Sequence, residues 1–119
     1  MLCGVRRFVC PYPNEYNPSV YTFLRSEEFD AWLAGLRDKI GRARIAQRVR
    51  SAEVGNFGDC EPVGEGVSEM RIHTGSGYRL YFTKRGAVLY LLLVGGDKST
   101  QQRDIKSALK MARGLKREN

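Results

Sequence analysis

The chain is nearly without histidine: His73 is the only one in 119 residues. The three cysteines, Cys3, Cys10 and Cys60, match no zinc or CxxC spacing, so a four-ligand metal site is not expected. An odd number of scattered thiols reads as reduced and not as a disulfide framework. No apolar run reaches the ~18 residues of a transmembrane helix. Arg6 and Arg7 stand where a signal peptide needs apolar residues. The expectation is a cytoplasmic protein with no membrane association, no metal and no cofactor. Paired catalytic acids and a Ser-His-Asp set are missing as well. A Walker loop fails at one position, because Asp97 precedes Lys98 where GxxxxGK[ST] requires glycine.

Acid is also in short supply. Thirteen Asp and Glu face 20 Lys and Arg, a formal charge of +7, and 14 of the 20 cations are arginine. Such an excess favours a polyanionic partner. It is concentrated in residues 37–50, with six basic residues and one acid, and in residues 98–119, with seven and two. With 42% apolar residues and enough length for a core, one soluble domain is expected.

Residues 1–19 hold Pro11, Pro13 and Pro18 and no sustained period, which predicts an irregular N-terminal extension, with the domain spanning 20–119. VYTFLR, 20–25, has the aromatic and β-branched content of a strand. Ser26 has the position of a helix N-cap, followed by Glu27 and Glu28 and by Phe29, Trp32, Leu33 and Leu36 at helical spacing. A second helix follows from Ile40, Ala43, Ile45 or Ala46, Val49 and Ala52, ending near Gly55. Four glycines and a proline in residues 55–66 predict a loop.

Residues 67–73 alternate, with Met70 and Ile72 facing the core and Glu69, Arg71 and His73 facing away. TGSG then turns the chain into YRLYFTK, where Tyr78, Leu80 and Phe82 oppose Arg79, Tyr81 and Thr83. AVLYLLLV has no polar face and suits a central strand. Ser99 and Gln102 have capping-box spacing at the head of a closing helix carrying Ile105, Ala108, Leu109, Ala112 and Leu115. The order β-α-α-β-β-β-α predicts an α+β fold, a small mostly antiparallel sheet packed against helices.

The candidate chemistry lies on the non-core hairpin face, with Arg71, Arg79, Tyr81 and His73, and after the central strand, where GGDK sets Lys98 before a helix N-terminus. Glycines there let backbone approach an anion, although a tight strand-to-helix turn needs them equally. His73, with no carboxylate partner at a fixed spacing, suits an ordinary surface position better than a general base, and Glu69 stands where it can orient Arg71. RNA cleavage needs no more than such cations, because the 2′-hydroxyl is an internal nucleophile.

The motifs EEFDAWL, GNFGD, VGEGVSEMRI, GYRLYF and GGDKSTQQRDI together resemble the RelE/ParE superfamily of type II toxin–antitoxin toxins, most closely its HigB-like branch of addiction module killer proteins. The resemblance implies a RelE-like fold and a metal-independent mRNA endoribonuclease, an mRNA interferase that inhibits translation on the ribosome. It implies a helix-turn-helix antitoxin encoded adjacently as partner, with operator DNA contacted only through that antitoxin. Arg71, Arg79 and Lys98 are the implied phosphate-binding cations. Asp104 stands near the place where some relatives carry tyrosine, which leaves the proton carrier open among His73, Tyr81 and Lys98. Two rival readings are a ParE-like gyrase poison of the same fold and a non-catalytic nucleic-acid-binding module.

Overall fold

The computed structural model describes residues 6–7 and 20–118; the remainder of the 1–19 extension, with Cys3 and Cys10, lies outside the described residues. Strand β1 is the residue pair Arg6–Arg7, and β2 is Thr22–Arg25. Ser26 then closes β2 and opens helix α1, Glu27–Gly35. Its buried hydroxyl accepts from the Phe29 amide at 3.0 Å and donates to the Leu93 carbonyl at 2.6 Å. One side chain therefore caps the helix and ties it to the strand beside β2.

Helix α2 spans Lys39–Glu53, with Asp38 as N-cap accepting from the Gly41 amide at 3.0 Å. Ile45, Val49 and Ala52 form its buried stripe, whereas Ile40 is 69% exposed and takes no part in the core. The expected loop at 55–66 contains a strand instead: β3, Cys60–Gly64, pairs with β4, Val67–Ile72. β3 is an edge strand with mostly exposed residues, so it carries no hydrophobic alternation that could announce it. Hairpin strand β5 is Tyr78–Lys84, and β6 is Leu89–Asp97. A 3₁₀ turn, Lys98–Thr100, leads into α3, Gln101–Glu118.

The fold is α+β. The sheet order is β1-β2-β6-β5-β4-β3, with β2 and β6 parallel and every other pair antiparallel. β6 therefore runs between two neighbours, as its unbroken apolar run predicts. Helices α1 and α2 cover one sheet face through Phe29, Ile45 and Val49 against Phe23, Leu80 and Leu92. Helix α3 covers the other through Ala108 and Ala112 against Tyr81, Leu91 and Leu93. The hairpin face expected to be exposed is thus partly buried: Glu69 and Tyr81 lie under α3.

The two glycines of β6 have a packing reason. A Cβ on Gly95 would stand 2.3 Å from the Trp32 ring of α1, and one on Gly96 would stand 1.9 Å from Asp104 Oδ2 of α3. Successive residues face opposite sides of a strand, so the pair admits one helix on each face. The glycines serve helix approach and not the ligand approach considered from the sequence.

Candidate functional site

The hairpin ladder pairs Arg71 with Arg79 and Glu69 with Tyr81, so four polar side chains of β4 and β5 share one sheet face. Glu69, 1% exposed, sits at their centre. Its Oε1 accepts from Arg71 Nε at 2.9 Å and from Arg79 Nη1 at 3.1 Å. Its Oε2 accepts from the Tyr81 hydroxyl and from Gln101 Nε2, both at 2.9 Å. Burial pushes the Glu69 carboxyl up, but the donors from Gln101, Arg71 and Tyr81 and the Arg79 charge outweigh it and hold it below its ordinary value.

The two arginines differ in what else holds them. Arg71 is pinned a second time, by Glu61 at 2.6 Å. Arg79, with its side chain 13% exposed, contacts only Glu69 among the hydrogen-bond and ion-pair partners of the described residues, and its Nε is buried without a partner. The Tyr81 phenol is fully buried, and burial, with the adjacent Glu69 carboxylate, raises its pKa far above the ordinary tyrosine range. Tyr81 therefore stays a hydrogen-bond donor to Glu69 inside the protein, without solvent contact.

Beyond the ladder, His73 and the turn through Gly75 and Gly77, both at positive φ, bring the hairpin tip against Lys98. Gly77 packs on the Lys98 stem, where an added Cβ would meet Lys98 Cβ at 3.5 Å. An open concavity of about 360 Å³ results, lined by His73, the turn residues, Arg79 and Lys98. A second, of about 650 Å³, shares Lys98 and continues along α3 past Gln101, Arg103 and Lys106. His73 is 75% exposed and is no lone surface residue, because its Nε2 lies 2.7 Å from Asp59 Oδ2. The hydrogen bond with His73 holds the Asp59 carboxyl below its ordinary value.

Of the five residues singled out in the sequence, the structure brings Arg79, Lys98 and His73 around one concavity. It keeps Arg71 outside that lining, held by two carboxylates, and Tyr81 buried among the residues packed under α3. Sequence reasoning missed the histidine's partner Asp59, since fourteen positions and two strands separate them. It also missed Gln101 as the α3 contact of Glu69. The start of α3 differs from the expected Ser99 cap. Asp97 caps the 3₁₀ turn that leads into α3, and its carboxylate accepts from the Ser99 amide at 2.9 Å and hydroxyl at 2.6 Å. The N-terminal amide position thus already holds a carboxylate, so Lys98 contributes to the concavity through its own charge.

Arg48 of α2 is structural, donating to the backbone carbonyls of Arg71 and Phe57 and so fixing α2 to β4. Among the described residues no group of three or more His, Cys, Asp or Glu stands where it could hold a metal ion. No helix among them is long and apolar enough to cross a membrane.

The chain is 46% identical over 87 residues to an uncharacterized protein of Haemophilus influenzae, an alignment that covers 73% of this chain and 88% of that protein. The chain belongs to the same family as that protein. No protein-family model matches it.

Proposed function

We propose that this protein is a metal-independent endoribonuclease of the RelE/HigB-like toxin type, cutting messenger RNA on the ribosome and restrained by an adjacently encoded helix-turn-helix antitoxin. The observation that carries the reading is the shared concavity of Arg79, Lys98 and His73. Its cations suit a single phosphodiester, and its openness suits a flexible strand. The net charge of +7 and the second, cationic concavity along α3 add attraction for the rest of a polyanion.

In this reading the RNA 2′-oxygen attacks the adjacent phosphorus, the P–O5′ bond breaks, and a 2′,3′-cyclic phosphate and a 5′-hydroxyl result. Arg79 and Lys98 stabilise the charge that gathers on the non-bridging oxygens. His73 moves the proton, a role supported by its contact with Asp59, which occupies Nε2 and leaves Nδ1 for the substrate. Arg71 and Tyr81 act behind the site through Glu69.

Purified protein incubated with translating ribosomes and a defined message should give cut transcripts ending in cyclic phosphate. Arg79→Ala should lower the rate by about 10²- to 10³-fold, the scale of losing one preorganised charge-stabilising donor, with an unchanged circular dichroism spectrum. Intact messages with the wild-type protein, on ribosomes and on free RNA, defeat the reading.

A further inference from the structure

Arg79 presents a problem that its own residue type does not solve. An arginine side chain has many rotamers, and a cation that stabilises a transition state must occupy one position before the substrate arrives. Arg71 has two carboxylate partners, whereas the polar contacts of Arg79 among the described residues end at Glu69 Oε1. Glu69 in turn has no freedom. Its oxygens receive four donors, which matches the roughly four acceptor sites of a carboxylate. Those donors come from β4, β5 and the first turn of α3, the last through Gln101, three positions after Lys98. A carboxylate so saturated is a poor proton acceptor, which removes it as a general base. It is instead a fixed point shared by the element that carries Arg79 and the segment that carries Lys98.

We propose that Glu69 is the positioning residue of the site, holding the Arg79 guanidinium in one orientation relative to Lys98. The inference rests on the reading of Arg79 as the phosphate-binding cation. Its structural part is nevertheless independent of any reaction. Glu69→Gln keeps the shape of the side chain but removes the charge that attracts both arginines and replaces one of the two accepting oxygens by a donor NH₂.

The test has two readouts on the intact protein. The first is ¹⁵N NMR of arginine side chains without substrate. In the wild type, hindered rotation about the Arg79 Nε–Cζ bond should keep its terminal nitrogens distinct, and in Glu69→Gln they should average. A guanidinium that stays equally ordered in a folded Glu69→Gln protein overturns the proposal. The second is cleavage kinetics. Glu69→Gln should lower kcat about 10- to 100-fold with little change in KM, as a small misplacement of a catalytic group does. Glu69→Gln combined with Arg79→Ala should be no slower than Arg79→Ala alone; additive losses would show that Glu69 does not act through Arg79. Should Glu69→Gln fail to fold, Glu69→Asp retains the charge, withdraws it by one methylene and must free the guanidinium in the same way. Loss of Arg79 order in a family of variants whose wild type cuts no RNA would uphold the positioning role and reject the ribonuclease reading.

Discussion

Arg71 and Arg79 face each other across the β4–β5 ladder and share Glu69, yet only Arg79 reaches the concavity. Two like charges directly opposite repel, and one buried carboxylate between them makes the pairing tolerable. The same carboxylate fixes a pH dependence. Glu69 has its folded-state pKa depressed below an ordinary value of 4.5. It therefore contributes stability above that pH, which is lost as the pH falls through the lower folded value. Asp38, held down by the Tyr78 hydroxyl, and Asp97, held down by Ser99, act in the same direction. The thermal midpoint should stay level between about pH 7 and 5 and fall below about pH 4.5. Glu69→Gln should show a shallower acid slope when midpoints are measured against pH.

At the scale of elements, β6 and α3 meet through glycine. Gly96 lies under Asp104, itself fixed by the Thr100 hydroxyl at 2.5 Å, and Gly95 lies under the Trp32 ring. Neither neighbour can swing away cheaply, since Asp104 is buried and the Trp32 ring packs against Phe29 and Tyr78. Gly95→Ala and Gly96→Ala should each destabilise by roughly 1–3 kcal/mol, the usual cost of overpacking, read as a lower urea midpoint at unchanged slope. The bidentate pair of Arg113 with Glu65, at 2.8 and 2.6 Å, similarly holds α3 to the β3–β4 turn. Glu65 occupies a positive φ of 51°, a conformation that this contact helps to retain.

For the molecule as a whole, charge is sorted by structure as well as by sequence. Arg48 serves backbone carbonyls, Arg71 serves carboxylates, and Arg113 serves Glu65, so these cations are committed within the protein. Lys98, Arg103 and Lys106 line the concavity along α3 and remain exposed. If the proposed ribonuclease reading holds, RNA affinity should fall with salt, each neutralised phosphate contributing about −0.7 to the slope of log K against log salt for a single strand. Lys106→Gln should weaken binding and reduce that slope by about 0.7, measured by fluorescence anisotropy with a labelled oligonucleotide.

Elements with an apolar period were legible in the sequence. The cap at Ser26, the stripe of α3, the alternation of β4 and β5 and the central place of β6 all follow from patterns of a few residues. β3 was not legible, because an edge strand of CEPVG buries too little to show a period. The candidate site divides in the same way. Residue types, alternation and the family resemblance pointed to Arg71, Arg79, Lys98, His73 and Tyr81 together, and Arg71 is indistinguishable from Arg79 until its second carboxylate, ten residues away, is seen.

The sequence by itself determined the order of the main helices and strands, the excess of positive charge and the arginine-bearing face of the hairpin, since these depend on local periods and on composition. Only the tertiary structure decided which cations are free to meet a ligand. That depends on contacts between residues distant in the chain: Asp59 with His73, Gln101 with Glu69, and Lys98 against the hairpin turn.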